Sequence, residues 1–96
     1  VMKYIQGHYR TTSLKEVAAI FHYDADYLGR QIKRYMGVNY IELVLQLKLE
    51  EAKRLLRETG LTMEQIAEHT GMGSAIHLSR TFKKKFGVPP SQYSGE

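Results

Sequence analysis

The chain has 96 residues, no cysteine and a net charge of +4, with 14 Lys and Arg against 10 Asp and Glu. This length supports one small domain without a separate catalytic domain, and the lack of cysteine excludes disulfides and thiolate metal sites. A pI near 9.4 favours polyanionic partners. No apolar run is long enough to cross a bilayer, so we expect a cytoplasmic protein.

An all-α fold is predicted, because strand-like alternation is missing and the only prolines are Pro89 and Pro90. A short helix around Met2 to His8, anchored by Tyr4 and Ile5, is expected to come first. Two capping boxes then predict helices that begin near Leu14 and Met63. The boxes are Ser13-Leu14-Lys15-Glu16 and Thr62-Met63-Glu64-Gln65.

A second helix is predicted after each of these, beyond a short turn. Asp24 and Ser74 are suitable N-caps for helices over about 25–36 and 75–86, which Gly37 and Gly87 end. We expect the inward faces of these helices to carry Leu28, Ile32 and Tyr35 in the first and Leu78, Phe82 and Phe86 in the second. The whole predicted core is Leu14, Val17, Phe21, Leu28, Ile32, Leu55, Ile66, Leu78, Phe82 and Phe86.

Between the two helix pairs, the segment 40–57 lacks Pro and Gly and favours helix formation, with Asn39 as a cap. We interpret it as one continuous linker helix. The predicted organisation is a single domain over 1–96, with a first subdomain over about 1–38 and a second over about 61–93.

The two helix pairs are copies of one another. Val17 and Ala18 match Ile66 and Ala67 at an offset of 49. Beyond the turn the offset is 50, because the second copy has one extra turn residue. The matched positions there are Leu28 and Leu78, Arg30 and Arg80, Ile32 and Phe82, Lys33 and Lys83, Gly37 and Gly87, and Val38 and Val88.

Each copy has the order short helix, turn, second helix, which is typical of a helix-turn-helix whose second helix enters a major groove. The outward faces of the second helices carry Asp26, Gly29, Arg30 and Lys33 in one copy and Ile76, Ser79, Arg80 and Lys83 in the other. Arg can bond guanine O6 and N7, whereas Lys near a helix end more often meets phosphate. The alternative for these basic residues is a solvated surface.

Four positions leave alternatives open. Asp26 is repelled by phosphates, so one interpretation is that the first copy recognises DNA sequence more weakly. The alternative is that Asp26 accepts a hydrogen bond from cytosine N4 and that Gly29 permits close approach to DNA. Ile76 either touches a thymine methyl or contacts the neighbouring turn. His77 is either a surface residue or reaches a phosphate.

No metal site is expected, because the four histidines lack the spacing and the partners of metal ligands. No nucleophile elbow, phosphate loop or pair of catalytic carboxylates occurs. We therefore expect neither an enzyme nor a cofactor.

The chain resembles the DNA-binding domain of AraC/XylS-type bacterial transcription regulators over essentially its whole length. Two stretches carry the resemblance, the run from Leu49 to Leu56 and the signature across the second helix-turn-helix. That signature is Ile66-Ala67 through Gly71-Met72, followed by LSRTFKKKFGVPPSQY from Leu78 to Tyr93. The resemblance implies seven helices, with two helix-turn-helix subdomains joined by a long linker helix.

The resemblance also implies sequence-specific binding to double-stranded DNA, with the two recognition helices in successive major grooves. Carried over by position, the base-reading residues are Asp26, Gly29, Arg30, Ala75, Ile76, Ser79 and Arg80. We add Lys33, Arg34, His77, Lys83 and Lys84 as phosphate contacts. Asp26, Gly29, Ala75 and Ile76 depart from the donors expected at such places, which leaves the identity of the bases open.

The resemblance further implies a transcription factor, more often an activator, associated with the nucleoid. An effector-sensing or dimerisation domain is expected elsewhere in the full-length regulator, consistent with a chain that begins at Val1 rather than Met, and RNA polymerase is a possible partner. The rival interpretation is a helical interaction module whose basic face docks an acidic protein such as an RNA polymerase subunit.

Overall fold

The computed structural model describes residues 1–93, apart from the side chains of Ser91 and Tyr93, so residues 94–96 of the predicted domain lie outside the described residues. Every regular element in this range is a helix, which confirms the all-α prediction. Six helices have seven or more residues, and the seventh is a single turn of four. They are α1 (Met2–His8), α2 (Leu14–Ile20), α3 (Ala25–Met36), α4 (Tyr40–Glu58), α5 (Met63–Thr70), α6 (Ala75–Phe86) and α7 (Pro90–Tyr93).

Both predicted capping boxes are present. The backbone N–H of Glu16 donates to Ser13 Oγ at 3.2 Å, and the backbone N–H of Ser13 donates to the Glu16 carboxylate at 3.1 Å. Thr62 and Gln65 make the same reciprocal pair at 3.1 and 2.9 Å. Helices as short as α2 and α5 are marginal by themselves, so these bonds help to define where each begins.

The turns after α2 and α5 are also copies. The N–H of Tyr23 donates to the carbonyl of Ala18, and the N–H of Met72 donates to that of Ala67, both at 2.8 Å. The residue before each donor has a left-handed backbone, with φ of 62° at His22 and 77° at Gly71. Glycine adopts this conformation without strain, whereas His22 does so at a cost.

The chain divides into two compact units, a first unit over Val1–Leu47 and a second unit from Lys48 onward. The boundary lies inside α4, which is one unbroken helix of 19 residues. Its first half supplies Tyr40 and Leu43 to the core of the first unit. Its second half carries the buried Leu49, Ala52 and Leu55. The predicted helix is therefore present, and its two halves bury side chains in different units.

Each unit has a small apolar core. In the first unit the core consists of Ile5, Val17, Ala18, Leu28, Ile32, Tyr40 and Leu43. In the second unit the buried hydrophobic residues are Leu49, Ala52, Leu55, Ile66, Ala67, Met72, Leu78 and Phe82. The buried Thr70 donates its hydroxyl hydrogen to the carbonyl of Ile66 at 2.8 Å, which satisfies its polar group inside α5.

Seven of the ten predicted core residues are buried: Val17, Leu28, Ile32, Leu55, Ile66, Leu78 and Phe82. Leu14 and Phe86 are half-buried. The prediction was wrong for Phe21, which is 36% exposed because it lies just after the end of α2. Its ring makes an edge contact with the ring of Tyr4. The expectation that Tyr35 lies on the inward face of its helix was also wrong, because this residue is 76% exposed. Its neighbour Met36 is exposed as well, so the buried stripe of α3 ends at Ile32.

Replacing His22 with Gly is expected to raise the free energy of unfolding by about 1 kcal/mol, because glycine removes the cost of the left-handed backbone. Gly71→Ala, at the matched position of the second unit, is expected to lower it by a similar amount. Urea denaturation followed by circular dichroism measures both. A loss of stability in His22→Gly would show that its side-chain contacts outweigh the backbone strain.

Candidate nucleic-acid interface

The second helix of each pair buries the same positions and exposes the same positions. Leu28 and Ile32 of α3 are buried, as are Leu78 and Phe82 of α6. The burial class agrees at each matched position from 25–35 and 75–85. The two helices therefore present the same outward face, and the fully exposed positions on that face differ in residue type without any difference in burial class.

In the first unit this outward face carries three basic residues, Arg30, Lys33 and Arg34. Asp26, Arg30, Lys33 and Arg34 are all exposed, and Gly29 is half-buried. The face borders an open groove of about 1000 Å³ that also includes the start of α2 around Ser13 and the start of α4 around Asn39. Lys15, Arg30, Lys33 and Arg34 line this groove beside a single acidic residue, Asp26, so its net positive charge suits a polyanion.

In the second unit the same face carries Ile76, Arg80, Lys83 and Lys84, all exposed, with Ala75 and Ser79 half-buried. Ile76 is 68% exposed, so a contact with the neighbouring turn does not account for this side chain. His77 is exposed, and its backbone N–H donates to Ser74 Oγ at 3.1 Å as part of the cap of α6. The imidazole faces solvent near the start of the helix.

Gly29 has a packing explanation that the sequence did not reveal. A Cβ placed on Gly29 would meet Leu14 Cδ2 at 3.2 Å, closer than most real contacts of this kind. The missing side chain therefore lets α2 pack closely on α3. Its counterpart in the second unit is Ser79, and the residue that corresponds to Leu14 there is Met63.

Several other cations have structural partners within the second unit. Lys48 Nζ donates to the carbonyl of Gly71 at 3.1 Å, at the end of α5. Lys53 Nζ lies 5.0 Å from the centroid of the Phe86 ring. Arg54 donates to Glu51 and Glu58, and these hydrogen bonds raise the pKa of its guanidinium above the ordinary value. These contacts hold α4 to its neighbours or stabilise its surface, whereas the cations of α3 and α6 named above are exposed and form the candidate interface.

Among the described residues, no group of three or more His, Asp or Glu side chains could hold a metal ion. His8 instead stacks on Tyr4, with ring centroids 4.0 Å apart. No helix in the described part of the chain is long and apolar enough to cross a membrane.

Two exposed helices, each braced by a short capped helix across a tight turn, define a helix-turn-helix protein with a duplicated motif. The chain matches the family model described as "Helix-turn-helix domain" over residues 17–96. It is 35% identical over 92 residues to the uncharacterized HTH-type transcriptional regulator YisR of Bacillus subtilis (strain 168), which covers 95% of this chain and 32% of that protein.

Two solved structures are similar to this chain in fold. The C-terminal domain of AraT, a response regulator from Geobacillus stearothermophilus, superposes with a TM-score of 0.87 and 36% identity, over 96% of this chain and 78% of that one. The DNA-binding domain of the transcriptional factor AdpA, solved with a target DNA, gives a TM-score of 0.88 over 97% of this chain and 85% of that one. At 18% identity, this second likeness is one of fold.

The chain belongs to the AraC/XylS family of helix-turn-helix DNA-binding domains, as the motifs of its second half indicated. It spans 32% of the length of the YisR regulator. The matched proteins named here are a transcriptional regulator, a response regulator and a transcriptional factor, and none of them is described as an enzyme.

If Gly29 serves close packing, Gly29→Ala should stabilise the chain more in a Leu14→Ala background than in the wild type. Alanine gains about 1 kcal/mol of helix propensity, and the contact with Leu14 offsets part of that gain. We expect a coupling of at least about 0.5 kcal/mol in a double-mutant cycle measured by urea denaturation. No coupling, together with weaker DNA binding by Gly29→Ala, would instead support a role in close approach to DNA.

Proposed function

We propose that the chain is the sequence-specific, double-stranded DNA-binding domain of a bacterial transcription regulator, with α3 and α6 each placed in a major groove. The observation that carries the proposal is the matched exposure of Arg30 and Arg80 at equivalent positions of the two helices. An Arg side chain forms two hydrogen bonds to guanine O6 and N7, the commonest specific contact in the major groove. Family membership supplies the class of ligand.

The proposed contacts divide by chemistry. The residues nearest the middle and start of each exposed face would read bases, whereas the cations toward the C-terminal end of each helix, together with His77 near the start of α6, would hold phosphates. We propose Asp26, Gly29, Arg30, Ala75, Ile76, Ser79 and Arg80 as the first group, with Gly29 acting through its backbone. Lys33, Arg34, His77, Lys83 and Lys84 form the second.

We also propose that the two units, 1–47 and 48–93, work together as one domain of a longer regulator, whose remaining length in relatives such as YisR is about twice that of this chain. An effector or dimerisation function would lie in that remainder. By family analogy the regulator is an activator that contacts RNA polymerase, and binding to chromosomal DNA would place it with the nucleoid.

The proposal is tested by selection from random duplexes with this chain at physiological salt. Affinities are then measured for the enriched duplex and for a scrambled duplex of the same composition. Two enriched blocks and a preference of at least about 10³ for the enriched duplex are expected, since specific and non-specific affinities differ by this much or more. Equal affinities would contradict the proposal and favour the interaction module that docks an acidic protein.

Arg80→Ala and Lys83→Ala separate base reading from phosphate binding on the same helix. Arg80→Ala is expected to cost about 1 to 3 kcal/mol on the enriched duplex and to relax discrimination at one base pair. Lys83→Ala is expected to weaken binding to both duplexes alike and to reduce the salt dependence. Fluorescence anisotropy at two or more salt concentrations measures both effects. An equal loss on both duplexes for Arg80→Ala would show that Arg80 reads no base.

A further inference from the structure

We propose that Asp26 and Ile76, which occupy the same place in the two recognition helices, give the two units different base preferences. Asp26 would select a cytosine and Ile76 a thymine, beside a guanine that each unit reads through its Arg. The inference rests on the proposed function, because it assumes that α3 and α6 lie in major grooves. It goes further by naming the bases that make the target site asymmetric.

The internal duplication makes the comparison between the two positions direct. Asp26 and Ile76 are related by the same offset as Leu28 and Leu78 and as Arg30 and Arg80. Both lie in the first turn of a 12-residue helix, and both are exposed. An acidic side chain and an aliphatic one therefore stand in equivalent surroundings, four residues before a shared Arg.

Neither side chain is needed by the fold. Ile76 is 68% exposed and so adds little to the core of the second unit. Asp26 is not the cap of α3, because Asp24 Oδ1 accepts from the backbone N–H groups of both Asp26 and Tyr27, at 2.8 and 3.2 Å. In the second unit Ser74 caps α6 without any acidic residue in the first turn. The helix start thus forms equally well without a carboxylate at this place.

The chemistry of the two side chains points to different bases. A carboxylate only accepts hydrogen bonds, and in the major groove it pairs with the amino group at cytosine N4. Opposite a base that offers no amino group, the carboxylate would stay unpaired among phosphates that repel it. Asp26 therefore lowers the affinity for wrong sites as well as favouring the right one. An aliphatic side chain makes no hydrogen bond and instead contacts the thymine C5-methyl group.

Arg30 and Arg80 would each select a guanine next to the base that Asp26 or Ile76 selects. Asp26 and Arg30, like Ile76 and Arg80, are four residues apart, which is about 6 Å along a helix axis and on one face of it. That separation reaches base pairs that are close neighbours in a duplex. One block should then contain cytosine and guanine and the other thymine and guanine, so that a single chain binds its site in one orientation.

The test is an exchange of the two side chains. Asp26→Ile, Ile76→Asp and the double exchange are each put through the selection from random duplexes, beside the wild type. In Asp26→Ile the cytosine of one block is expected to become thymine, and its affinity for the original duplex to fall about tenfold. Ile76→Asp is expected to make the reverse change in the other block. The double exchange should give both changes, with both guanines kept.

Tyr35→Ser serves as the matched control, because Tyr35 is exposed on α3 but lies about two and a half turns beyond Asp26, on the opposite side of the helix. Its enriched sequence is expected to equal that of the wild type. Urea denaturation of every variant establishes that the fold is retained, and both exchanged positions are exposed, so large losses of stability are not expected.

The outcomes separate the inference from the proposed function. If the wild type enriches two blocks but the exchanges leave both base preferences unchanged, the inference is wrong and the proposed function stands. The same conclusion follows if Asp26→Ile alters only the stability, as an acidic residue that interacts with the helix dipole would. If the wild type enriches no sequence at all, both the proposed function and the inference fail.

Discussion

The structure depends on the burial of one stripe of each recognition helix against the short helix that precedes it. Leu28 and Ile32 in α3, and Leu78 and Phe82 in α6, are the buried side chains that orient these helices. Once they are inward, helical geometry places the Arg two residues after the first Leu on the outward face. The surface available to a ligand is therefore a consequence of core packing. This coupling explains why the two units expose the same positions although they differ at many residues.

Each unit is too small to form a large core, and α4 adds buried side chains to both units. Rather than acting as a spacer, it provides buried residues to the first unit through Tyr40 and Leu43, and its second half buries Leu49, Ala52 and Leu55. The starts of the short helices α2 and α5 are capped by the side chains of Ser13 and Thr62. A helix of seven or eight residues gains its stability from such caps and from packing, since isolated helices of this length are marginal.

Much of this arrangement could be predicted from the sequence. Caps and helix-ending glycines located the ends of α3 and α6, and the repeat of Arg30 at Arg80 located the exposed face. Tyr35 was misplaced because helical periodicity does not show where a neighbouring helix stops, and the last turn of α3 extends past the packed part of the core. The packing of Gly29 could not be predicted for a related reason, since a sequence does not show that a Cβ at this position would lie 3.2 Å from Leu14 Cδ2. The division of α4 between the two units likewise depends on three-dimensional contacts.

The most direct measurement is NMR mapping of this chain as it binds the enriched duplex, with a scrambled duplex for comparison. The account predicts intermolecular contacts from Arg30 and Arg80 to guanine protons on the enriched duplex, and their loss on the scrambled one. Contacts of Lys33 and Lys83 with the phosphate backbone should persist on both. Identical spectral changes with the two duplexes, or changes confined to one of the two recognition helices, would contradict the claim that both units read sequence.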